Sequence, residues 1–92
     1  MTETAESRLK RLSMRSWRRG MKEMDLILGG FADARLAALS PAALDAYEAL
    51  LEENDQDLYK WVGGAAPAPA LHAPILAEIA AFHGLSAEIR TN

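Results

Sequence analysis

The sequence predicts an all-α protein, a single small bundle of about five short helices in one domain over residues 1–92. Three observations carry this expectation. No stretch alternates apolar and polar residues with the period of two that a strand requires. Ala, Leu, Glu and Arg dominate, and most of these are strong helix formers. Cap and break residues then divide the chain into short amphipathic pieces. Half of the residues are hydrophobic and 25% are charged, which is enough apolar surface to offset the entropy of folding. A chain of 92 residues still buries only a modest core, so a deep, walled-off catalytic cavity is not expected.

Residues 1–7 read as a flexible N-terminus that gives way to a first helix from about Ala5 to Arg18. Leu9, Leu12 and Trp17 share its apolar face, and Gly20 is placed to end it. A second helix starts near Met21, with Met21, Met24, Ile27, Leu28 and Phe31 on one stripe. The pair Gly29-Gly30 is expected to stop or kink it, at a cost of about 2 kcal/mol relative to alanine.

Ser40-Pro41 is the clearest start signal: Ser40 can cap, Pro41 suits the first helical position, and Leu39 can staple to Leu44. This helix directs Leu44, Tyr47, Leu50 and Leu51 inward and Asp45, Glu48, Glu52 and Glu53 outward. Asn54 or Asp55 then caps a short helix over residues 57–62, closed by Gly63-Gly64. Residues 63–73 form an Ala/Pro connector of polyproline-like character. The last helix starts at Pro74, buries Ile75, Leu76, Ile79 and Phe82, and stops at Gly84; residues 85–92 read as a loose tail.

The chain has no cysteine, which excludes disulfides, thiolate-ligated metals and a thiol nucleophile. No apolar run approaches the ~20 residues of a membrane helix, so membrane insertion is not expected. Glu3 and Glu6 make the N-terminus unlike a secretory signal or an acid-poor transit peptide, and a bacterial cytoplasmic location is expected. His72 and His83 stand in unrelated contexts without metal-ligand spacing, and both read as structural or exposed. Glu52/Glu53 and Asp55/Asp57 read as a solvated helix face and helix capping rather than an acid–base pair. An enzyme is not expected.

Charge is distributed unevenly. Seven basic residues and no acid lie between Arg8 and Lys22, whereas ten acids follow Glu23. This basic head would suit phosphate contacts, yet the same residues fit a solvated helix face. The overall net charge of −3 disfavours a nucleic-acid partner. Within the head, two arginines meet a glycine break in Arg18-Arg19-Gly20-Met21-Lys22-Glu23-Met24-Asp25. If Gly20 turns the chain, Arg19 and Glu23 offer a guanidinium and a carboxylate from one helix–helix corner. The alternative is that Gly20 is a helix stop, with the charges complementing the flanking helix dipoles.

The motif Arg19-Gly20-Met21-Lys22-Glu23, followed by Asp25-Leu26 and Phe31-Ala32, resembles the Arg-Gly-x-x-Glu signature of the succinate dehydrogenase assembly factor family, the flavinylation factors. Arg15-Ser16-Trp17 resembles the family's lead-in, and Asp55-Gln56-Asp57-Leu58-Tyr59-Lys60-Trp61 its later Asp-x-Asp-Leu-x-x-Trp helix. The resemblance covers roughly residues 8–62. It implies a helical factor that binds the flavoprotein subunit of succinate dehydrogenase or fumarate reductase and promotes covalent FAD attachment to it. The FAD would belong to that client, with none held firmly here.

Under this reading Arg19, Gly20 and Glu23 are the leading contact residues, with Arg18, Met21, Asp25 and Trp17 behind them. Arg19 is expected to present its fork to the client, Glu23 to pair with a client cation or amide, and Gly20 to allow close backbone approach. Tyr59 and Trp61 are expected in the core. Two alternatives stand beside it: a regulatory protein-interaction domain with another partner, and a small nucleic-acid-binding protein using residues 8–22.

Overall fold

Thr4 opens the first helix by accepting the backbone N–H of Ser7 at 3.0 Å, and α1 runs over Ala5–Trp17. The remaining helices are α2 (Lys22–Arg35), α3 (Pro41–Leu50), α4 (Asp55–Val62) and α5 (Ala73–Phe82), with a 3₁₀ turn over Leu36–Ala38 after α2. This computed structural model describes residues 3–85, and no strand occurs among them. The tail expected over residues 85–92 lies outside the described residues apart from Leu85, as do residues 1 and 2.

Local chemistry sets these boundaries. The Ser40 hydroxyl accepts the Ala43 N–H at 3.1 Å with Pro41 at the first helical position. Asn54, not Asp55, caps α4, accepting the Asp57 N–H at 2.9 Å. Gly64 and Gly84 take φ of 80° and 73° after α4 and α5, the left-handed conformation that closes a helix and suits glycine. Each helix sends residues to one core, including Leu12, Met24, Leu28, Phe31, Tyr47, Leu50, Leu58, Ile75 and Ile79. Phe82, expected inside, is 36% exposed and packs its ring edge against Phe31 with Arg35 over its face.

The Gly29-Gly30 pair does not stop α2, which continues through both to Arg35. The reason is packing between α1 and α2. A Cβ on Gly29 would fall inside the Trp17 indole, so the missing side chain is the notch that seats this ring. Asp33 holds the arrangement from one turn further on, accepting Trp17 Nε1–H at 3.2 Å and the Ser13 hydroxyl at 3.1 Å.

Tyr47 ties three helices together from the core. Its hydroxyl lies 2.6 Å from Ser16 Oγ of α1 and 3.2 Å from the Leu28 carbonyl of α2. Burial pushes the phenol up to about 12, against the opposing effect of the Ser16 hydrogen bond, so it stays protonated at neutral pH.

The outward face of α3 is not simply solvated. Glu48 accepts Arg8 at 2.8 Å and Arg11 at 2.9 Å, Asp45 accepts Arg8 at 2.8 Å, and Glu52 accepts Arg15 at 2.8 Å. Partial burial pushes the Glu48 carboxyl up, but its bonds to Arg8 and Arg11 outweigh this and hold it below the ordinary 4.5.

Gly29→Ala should lower stability by about 1–3 kcal/mol through displacement of Trp17, with a red-shifted tryptophan emission. Gly30→Ala should be neutral or stabilising by about 0.5–1 kcal/mol, because its Cβ meets only His83 at an ordinary 3.6 Å. A group whose carboxyl is depressed on folding stabilises above its unfolded value and loses that contribution as pH falls. The melting temperature should therefore fall as pH drops below the 4.5 of free glutamate, and Glu48→Gln should flatten that part of the profile.

Candidate partner-binding site

Four residues, Arg18 to Met21, join α1 to α2. Gly20 stays outside the left-handed region, and α1 has already ended at Trp17. Met21 occupies the N-cap position of α2 with no side-chain cap of its own. The free N–H groups around it are instead met from other positions. Asp55 Oδ2 accepts the N–H of Gly20 at 2.8 Å and of Met21 at 3.1 Å, while Asp25 Oδ1 accepts the N–H of Arg19 at 2.6 Å.

Arg19 points inward. Its Nε donates to Asp55 Oδ1 at 2.7 Å, Nη1 to the Leu51 carbonyl at 2.8 Å and Nη2 to the Glu53 carbonyl at 2.7 Å. These carbonyls end α3, where backbone acceptors lack helical partners and a cation complements the dipole. The Arg19 side chain is only 11% exposed and that of Asp55 15%. The expected guanidinium fork toward a client is thus corrected: Arg19 holds the α1–α2 corner against the α3–α4 corner.

What the corner leaves outside is different. Gly20 and Glu23 are exposed. Glu23 lies in the first turn of α2, where a carboxylate complements the helix dipole, and it makes no ion pair among the described residues. Residues 20–23 and 54–57 enclose an open polar cleft of about 740 Å³. Arg18 is exposed beside a shallow groove that includes Arg11, Met14 and Arg15. Met21 is half-buried against the core, and Trp17 lies away from the corner on Gly29. Of the seven expected contact residues, Gly20 and Glu23 line the cleft with Met21, whereas Arg19, Asp25 and Trp17 make bonds within the chain.

Asp55 was not among the expected site residues, although it opens the Asp-x-Asp-Leu-x-x-Trp segment. Tyr59, expected in the core, is 47% exposed, while Trp61 is half-buried against it. His72 is buried with Nε2 2.8 Å from Glu53 Oε2, and His83 donates from Nε2 to the Ile27 carbonyl at 2.7 Å. No cluster of three or more side chains suited to a metal occurs among the described residues.

A family model described as the flavinator of succinate dehydrogenase matches residues 10–83. The chain belongs to this family. It is similar to a mitochondrial succinate dehydrogenase assembly factor 2 of Meyerozyma guilliermondii, 46% identical over 59 residues, which are 64% of this chain and 44% of that protein. The factor of the same name from Candida glabrata is 42% identical over 62 residues, 67% of this chain and 40% of that one. That of Schizosaccharomyces pombe is 37% identical over 67 residues, 73% and 48% of the respective lengths. The chain spans less than half the length of these relatives. The bacterial cytoplasmic location expected from the N-terminus is overturned by them, since all three are named mitochondrial proteins of fungi.

The largely buried Arg19–Asp55 pair joins the α1–α2 corner to the α3–α4 corner. Asp55→Ala should cost roughly 3–5 kcal/mol by leaving a desolvated guanidinium unpaired, read as a lowered midpoint in chemical denaturation. Asp57→Ala, which loses only an exposed hydrogen bond to Asn54, should cost under about 1 kcal/mol.

Proposed function

We propose that this chain acts as an assembly factor that binds the flavoprotein subunit of succinate dehydrogenase, or of fumarate reductase, and promotes covalent attachment of FAD to it. The observation that carries the reading is the Gly20–Glu23 corner: an exposed glycine and a carboxylate with no ion pair among the described residues, on a corner braced by Arg19 and Asp55, in a chain of the flavinator family. In this reading the flavin and the residue that it joins belong to the client. The factor contributes a rigid surface that orients the client rather than a reacting group.

The corner suits that work. Its backbone donates three hydrogen bonds to the Asp25 and Asp55 carboxylates, so little ordering entropy is lost on docking. Gly20 leaves the backbone open to close approach, and Glu23 can accept from a cation or amide of the client. The nucleic-acid alternative is weakened by the same structure. Arg8, Arg11, Arg15 and Arg19, four of the seven basic residues of the head, are paired to acids within the chain.

The test is flavin attachment to purified apo flavoprotein subunit, read as covalent fluorescence after denaturation. The wild-type chain should accelerate attachment. Glu23→Ala and Gly20→Arg should each remove at least about tenfold of it while circular dichroism stays unchanged. The latter variant keeps the fold because a Cβ at Gly20 meets only Asp55 Oδ2, at 3.7 Å. Absence of acceleration by the wild-type chain, with no complex formed, would overturn the reading.

A further inference from the structure

An apolar groove of about 580 Å³ runs between α2 and α4, beginning where the polar cleft ends. Glu23 lines both. Along α2, Glu23, Leu26 and Ile27 follow at the spacing that places side chains on one face. Across the groove stand Tyr59 and Lys60 of α4. Leu26 is 55% exposed and Tyr59 47%, a large cost in wetted apolar surface for a chain of this size. The core does not require either side chain to be there, since Met24, Leu28, Leu58 and Val62 already fill the interior from the same helices.

The other exposed apolar side chains differ in kind. Phe82 is covered on one face by Arg35, while Met14 sits among arginines of α1 and Leu71 in the connector. The Leu26–Tyr59 pair lies along a groove that shares Glu23 with the corner cleft. Its lining also carries opposite charges, Glu23 on α2 and Lys60 on α4, neither of which forms an ion pair among the described residues.

We propose that this groove is the second half of the client-docking surface and seats one segment of the flavoprotein subunit: a basic residue against Glu23, an apolar side chain between Leu26 and Tyr59, and an acidic residue against Lys60. The proposal rests on the function proposed above and adds the chemistry of the segment recognised. The opposite charges of Glu23 and Lys60 select a segment that carries the complementary pair. The apolar middle supplies affinity, with a tyrosine as anchor of the kind that concentrates binding energy. Continuity through Glu23 makes the polar corner and the groove one surface.

Binding of the purified apo subunit of succinate dehydrogenase to the intact chain tests this by biolayer interferometry, with thermal melts in parallel. Leu26→Ser and Tyr59→Ser should each weaken binding at least about tenfold, and Leu71→Ser should change it less than about twofold. Lys60→Glu, a surface charge change that leaves packing alone, should weaken binding and reduce its salt dependence. Melting temperatures should stay close to wild type. Wild-type affinity in all three groove variants, with loss in Glu23→Ala, would overturn the groove proposal and leave the assembly-factor reading intact. A wild-type chain that does not bind the subunit would overturn both. Loss of self-association by the groove variants, without change in subunit binding, would give the groove to a second copy of the chain and likewise overturn the proposal.

Discussion

Arg19 is the residue on which the two halves of the molecule converge. It sits in the link between α1 and α2, yet its side chain bonds to the α3–α4 corner: the Asp55 carboxylate and the carbonyls of Leu51 and Glu53. Each partner would otherwise be short of a donor, because a helix end exposes carbonyls that the helix cannot satisfy. The same Asp55 carboxylate turns its second oxygen to the Gly20 and Met21 N–H groups, at the uncapped start of α2. One ion pair thus completes the end of α3 and the beginning of α2 together. Such a pair is costly to break singly, since either partner alone is a largely buried charge.

Around that pair the uneven charge of the sequence finds its partner inside the chain. The cations of α1 and the acids of α3 and the turn after it are far apart in sequence and face each other in space, with Arg8, Arg11 and Arg15 meeting Asp45, Glu48 and Glu52. These pairs are more exposed than Arg19–Asp55 and individually contribute little. Their collective effect is register: they select one face of α3 against α1 and leave Tyr47 to close the interior beneath. A net charge or a basic stretch therefore says little about an external partner until the internal acids have been counted.

What could be read from the sequence was what depends on near neighbours. The Ser40-Pro41 start, the cap at Asn54 or Asp55 and the Gly64 and Gly84 closures are local devices, visible within three or four residues. The helical character and most of the core followed from periodicity. The misreadings arose where a distant residue changes what a local signal means. Gly29-Gly30 looks like a break until Trp17 is seen to fill the space above it. Arg19 looks like a presented fork until Asp55, thirty-six positions on, claims it. Tyr59 has the spacing of a core residue, but Leu58 and Val62 already supply the inward face of so short a helix.

The division within the signature motif follows from these contacts. Of the charged ends of Arg-Gly-x-x-Glu, the arginine is consumed by the fold and the glutamate is not. The glycine between them lends its N–H to Asp55 while keeping its other side open. A surface meant to orient another protein gains from this arrangement, because the exposed groups are held by buried ones and do not have to be ordered on contact. Loss of the arginine and loss of the glutamate are then physically different events. The first loosens the corner and with it every group that the corner displays. The second leaves the corner standing and removes one acceptor from its face.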